Sequence, residues 1–150
     1  MHRSLIALAL PATAAAVLTA TSAHAARTHQ LGLVEVQRST AQLDLGAKGF
    51  SPGDRQTIRS DLFTPAGHRV GRLDADCAIT QAGKRPEAVC TFVITLARGQ
   101  LTGAFAQDLS APNVGKRQAI TGGTGRYAGA HGELRVGREG KRTPFVIALR

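Results

Sequence analysis

The chain has no Trp, one Tyr, one Met and two Cys among its 150 residues. Two cysteines are too few for a disulfide-dense mini-protein and too few for a four-cysteine zinc site. With one Tyr and no Trp, there is little with which to stack nucleic-acid bases. Acidic residues are also scarce: 10 Asp+Glu face 19 Lys+Arg, a formal charge of +9. The basic residues are scattered. Their densest pairs, Lys84-Arg85, Lys116-Arg117 and Lys141-Arg142, lie in turn-like contexts, so no nucleic-acid partner is expected. The length allows one domain and not a two-lobed enzyme. No stretch keeps an apolar 3.6-residue period, which excludes a helical bundle.

One long apolar run is present, at the start. His2 and Arg3 precede Leu5 to Leu18, and Ala23-His24-Ala25 supplies small residues where a leader peptidase needs them. These features define a secretory signal peptide over 1–25, cleaved after Ala25. The run is too short for a membrane span, and no second such run follows. Removing 25 of the 150 residues leaves 125, and only Arg3 leaves with them, so the charge falls from +9 to +8. A basic exported protein suits anionic surfaces such as cell-wall polymers.

The remainder, 26–150, reads as one β-domain. Period-two segments recur at 31–45, 56–63, 70–80, 88–96, 100–106, 118–121, 133–138 and 144–149. Turn residues separate them, as in Ser51-Pro52-Gly53-Asp54 and Pro65-Ala66-Gly67. Eight strands joined by short turns predict an all-β, antiparallel, up-and-down β-barrel of calycin-like type. Segments 88–96 and 144–149 are apolar on both faces, which points to a covered outer wall, as in a homotrimer, or to a central sandwich strand.

The turn at 81–87 sets the register of its two strands. Pairing Ile79 with Ala88 places Cys77 opposite Cys90, within disulfide reach. An exported protein meets oxidising conditions, so a Cys77–Cys90 disulfide is expected. The alternative is a pair of buried thiols.

The most distinctive run is Ile120-Thr121-Gly122-Gly123-Thr124-Gly125-Arg126-Tyr127-Ala128-Gly129-Ala130-His131-Gly132-Glu133. It fits a dinucleotide-loop pattern loosely, but the helix and parallel strands that loop requires do not follow. Gly122, Gly123, Gly125 and Gly129 instead suit a tight structural crossover, with Tyr127 plugging one end of a core. This run resembles the signature of the allene oxide cyclase-like and dirigent-like barrels. Gly53-Asp54, Asp61-Leu62-Phe63-Thr64 and Val70-Gly71-Arg72 match further, in order. The resemblance covers about 31–149. It implies an eight-stranded barrel, often trimeric, with an apolar cavity and with no metal or organic cofactor. It also implies activity on lipophilic small molecules: cyclisation or stereo-controlled coupling. Ala128 and His131 depart from the dirigent pattern, which carries arginines in this segment.

The resemblance places Asp61 in the pocket as an acid. Glu35 is the second candidate, because it shares the face of Leu31 and Leu33. Arg59, two residues from Asp61, shares its face, and Tyr127 is a candidate hydrogen-bond donor. No Ser lies close in sequence to a His, and His29, His68 and His131 have no metal-ligand spacing. The expected function is therefore an exported barrel that binds a lipophilic small molecule and promotes its cyclisation, an isomerase-type reaction. The alternative is a non-catalytic ligand-binding or wall-associated barrel. Two or more ionisable groups inside the cavity would favour catalysis, and a purely apolar lining would favour carriage.

Overall fold

The computed structural model describes residues 29–111, 115–138 and 140–150. The signal-peptide assignment lies outside these residues. Eight strands run in chain order: β1 His29–Leu43, β2 Arg55–Phe63, β3 Arg69–Gln81, β4 Glu87–Leu96, β5 Gly99–Asp108, β6 Arg117–Gly123, β7 Gly132–Val136 and β8 Thr143–Leu149. Each pairs antiparallel with the next, and β8 pairs with β1, closing the barrel. One 3-10 turn, Gly125–Tyr127, joins β6 to β7. No helix among the described residues is long and apolar enough to cross a membrane.

The alternation of side chains decides what fills the barrel. On β8, Phe145, Ile147 and Leu149 point inward and are buried, while Val146 points outward and is 45% exposed. On β4, Cys90, Phe92 and Ile94 are buried, with Thr91 and Val93 between them on the outer face. Closure covers only one face of these two-faced strands.

The densest packing lies toward one end, where Leu33, Leu62, Leu101, Leu134, Ile147 and Leu149 meet. Burying each such side chain contributes about 1.5–3 kcal/mol. The glycine-rich crossover covers this end, and Tyr127 packs against the cluster, as its position in the sequence suggests. Gly125 (φ 59°) and Gly129 (φ 73°) take left-handed conformations, which favour glycine. Gly123 serves differently: a Cβ there would strike the carbonyl oxygens of Tyr127 and Gln100. At Gly122 the nearest atom to such a Cβ is the Thr102 hydroxyl, at 3.2 Å.

The β3–β4 register is the expected one. Ile79 faces Ala88, Cys77 faces Cys90, and the two cysteines form a disulfide. The bridge lies on the inner face near the opposite end, in a small cluster with Ile79 and Ala88. Asp54 closes the adjoining loop. Its buried carboxylate accepts hydrogen bonds from the backbone N–H groups of Leu45 and Ser51, both at 2.8 Å, and from the Ser51 hydroxyl at 3.0 Å. Those bonds hold its pKa below the usual carboxylate range, the Leu45 N–H most strongly.

Candidate functional site

The inner face of β1 runs through Leu31, Leu33, Glu35 and Gln37. At Arg38 a bulge inserts one residue: Gln37 pairs with Ser60 and Ser39 with Arg59, leaving Arg38 without a partner across the ladder. The bulge reverses the phase of the alternation, so that Thr40 lines the interior while Ser39 and Ala41 line the outer wall. Arg38, turned outward by the alternation that points Glu35 and Gln37 inward, reaches Asp61.

Asp61 therefore lies on the outer wall and not in the cavity. Its neighbours Ser60 and Leu62 are the buried residues of β2. Arg38 Nε and Arg69 Nη2 each bind the Asp61 carboxylate at 2.7 Å. These contacts, that of Arg69 foremost, depress its pKa, the opposite of what a proton-donating acid needs. Arg59 shares the outer face, as its spacing requires, and lines a shallow groove there with Asp74 and Asp76. Asp61 takes Arg38 and Arg69 as its ion-pair partners. Tyr127 sits at the covered end and does not line the cavity beside Glu35. Of the four candidate side chains, only Glu35 lines that cavity.

The cavity, of about 390 Å³, lies toward the end of the barrel opposite the glycine-rich crossover. Ile58, Leu73, Phe92, Phe105, Val136 and Phe145 give it apolar walls. Phe92 and Phe105 stand with ring centres 6.2 Å apart. Phe92 can cross the interior because Gly103 lies opposite it on β5; a Cβ at Gly103 would strike the Phe92 ring. Above these walls stand Glu35, Gln56, Gln107, Gln118 and Thr143. The lining is thus mixed, not apolar as the resemblance implies, because polar residues occupy inner positions of β1, β2, β5, β6 and β8.

Two polar features define the site. The Ser60 hydroxyl donates to Glu35 Oε1 at 2.6 Å, which fixes the carboxylate from the neighbouring strand. Gln118 is only 6% exposed, and no side-chain hydrogen bond to its amide is present among the described residues. A buried amide without a partner is costly unless water or a ligand satisfies it. Among the described residues, Glu35 is the one ionisable side chain in the cavity lining. Among the described residues no group of three metal-ligating side chains occurs.

Ser60, Gln56, Gln107, Gln118 and Thr143 were not among the candidates. Their signal was present: each continues the inner alternation of its strand, as Gln56 does ahead of Ile58 and Thr143 ahead of Phe145.

The closed eight-stranded barrel with an internal cavity defines a class, and comparison with known proteins supplies the family. Residues 34–146 match the model of the allene oxide cyclase barrel like domain. The chain belongs to that family. Among solved structures it is similar to a pyocyanin demethylase, with 26% identity and a TM-score of 0.72 over 81% of this chain and 100% of that one. It is also similar to the Diels–Alderase AbmU from Streptomyces koyangensis, with 22% identity and a TM-score of 0.66 over 81% of this chain and 63% of that one. A third similar structure is a nonspecific heme-binding cyclase of neoabyssomicin biosynthesis, with 21% identity and a TM-score of 0.65 over 81% and 64%. The last two likenesses concern the fold alone. None of the curated proteins compared with the chain matches it.

Proposed function

We propose that this barrel binds a small organic molecule with one polar end in the Glu35 cavity and promotes ring closure of that molecule. The observation that carries this reading is the buried Gln118 amide, aimed into a cavity that also presents a Ser60-anchored carboxylate. Such a lining matches a ligand that bears carbonyl or hydroxyl groups on a hydrocarbon or aromatic frame. The Phe92 and Phe105 rings hold the frame, and the amides of Gln118 and Gln107 orient its polar end. Confinement brings the reacting carbons together, which supplies most of the acceleration. Glu35 accepts a hydrogen bond or a proton from the ligand as charge develops. A cycloisomerisation of this kind gains and loses no atoms. The relatives named a demethylase and a Diels–Alderase are consistent with small-molecule chemistry in such barrels.

A carrier function is the second reading. It is favoured by a lining that, among the described residues, carries one ionisable side chain, Glu35. In either case the protein acts after export, with 1–25 removed, and as a homotrimer that covers outer-wall residues such as Val89 and Val146.

Native mass spectrometry of the protein from its own host is the test. A retained small molecule identifies the ligand, and the same spectrum gives the oligomer and the processed N-terminus. Incubation of a precursor with wild type and Glu35→Gln then separates the two readings. Turnover by wild type that is lost in Glu35→Gln, with binding kept, supports catalysis. Binding without turnover in both supports carriage. A protein that retains nothing and binds no such molecule overturns the cavity reading.

A further inference from the structure

The glycine-rich crossover builds a second cleft at the covered end, separated from Glu35 by the hydrophobic core. It has a volume of about 440 Å³. Its lining includes Leu31, Leu149 and Ala130, together with Tyr127, Arg98 and Arg126. The two arginines are held side by side by the backbone. The Arg126 N–H donates to the Arg98 carbonyl at 2.8 Å, and Gly125 packs so closely on that carbonyl that a Cβ would lie 2.5 Å from its oxygen.

Among the described residues no Asp or Glu side chain lines this cleft, and a third arginine, Arg150, does. Ion pairs among the described residues engage Arg38, Arg55, Arg69, Arg72 and Arg117, but neither Arg98 nor Arg126. The Tyr127 hydroxyl likewise has no hydrogen-bond partner among the described residues. Two guanidinium groups lining one cleft over an apolar floor offer planar donor forks suited to an oxyanion.

We propose that the covered end carries a second binding site, for an amphipathic anion. A carboxylate or phosphate-monoester head group sits between Arg98 and Arg126, and a short hydrocarbon tail lies against Leu31 and Leu149. The Tyr127 hydroxyl donates to the head group.

Tyr127 is the only Tyr, and the chain has no Trp, so tyrosine emission reports this cleft directly. The experiment titrates the exported form with sodium decanoate, decyl phosphate and neutral decanol, all below their aggregation limits. The expected result is a saturable change in Tyr127 emission with at least one anion and none with decanol, weakened by salt. Arg98→Gln/Arg126→Gln, checked by thermal unfolding to fold as wild type does, binds that anion at least tenfold more weakly. Comparison of the two anions shows which head group the site takes. The proposal is overturned by an equal response to decanol, by undiminished binding in the double variant, or by no response to either anion. These outcomes leave the Glu35 cavity untouched, because the two sites share no lining residue.

Discussion

At the covered end of the barrel, Leu101, Leu134 and Ile147 are fully buried and Tyr127 packs over the cluster they belong to. At the opposite end, the same inner faces present Glu35, Gln56, Gln107 and Gln118 to a cavity. The strands are continuous from one end to the other, so the difference is not one of backbone. It lies in which residue type occupies each inward position. Apolar residues there release water and stabilise the fold. A polar side chain with no partner among the described residues, such as Gln118, leaves hydrogen-bonding capacity unspent, which costs stability and makes it available to a ligand. One end holds the molecule together, and the other presents the cavity proposed as its site.

That contrast predicts unequal responses to truncation. Ile147→Ala and Leu134→Ala, at the packed end, should each lose about 2–5 kcal/mol in urea unfolding. Gln118→Ala, which removes a buried amide without a partner, should leave the midpoint near that of wild type while weakening cavity binding. A loss of stability in Gln118→Ala as large as in Ile147→Ala would break the comparison. The cavity end is not without support, however. Replacing both Cys77 and Cys90 by Ser should cost about 3 kcal/mol, because the bridge closes a loop of thirteen-residue separation. Mass analysis after alkylation of native protein should find no free thiol.

The Asp54 loop sharpens the same point through pH. Its folded-state pKa is lowered by hydrogen bonds from Leu45 and Ser51. The stability it contributes is present above the ordinary carboxylate pKa and is lost as pH falls through the lower, folded value. Melting temperature in wild type should therefore drop in acid. Asp54→Asn should melt lower at neutral pH and show a flatter acid limb. An acid limb as steep as that of wild type would exclude Asp54 as a source of the loss. The smallest effect is expected at Asp61. Its pairs with Arg38 and Arg69 are on the solvated outer wall, where such pairs contribute little. Asp61→Asn should change melting least of these variants and leave cavity binding unaltered. Loss of binding in it would mean that the outer wall governs the site.

Several of these features were legible in the chain itself. The eight period-two segments lie within a few residues of the eight strands, because turn residues and alternation are local properties. The Cys77–Cys90 bridge followed from one short turn, since a hairpin transmits its register along both strands. Glu35 was legible from the face it shares with Leu31 and Leu33. Asp61 was misplaced for an instructive reason. A family resemblance matches residue types, whereas the pleat fixes the side, and the alternation of Ile58, Ser60 and Leu62 already turns Asp61 outward.

The sequence by itself determined the strands, the antiparallel order, the disulfide register and the covering of one end by Tyr127. Each depends on neighbours close along the chain. The tertiary structure alone decided where polar residues from β1, β2, β5, β6 and β8 converge, because these are far apart in sequence. It also decided the phase of β1 beyond Arg38. A bulge adds one residue to one strand and has no signature until the partner strand is in place. That single residue turns Ser39 to the outer wall and Thr40 inward to the cavity.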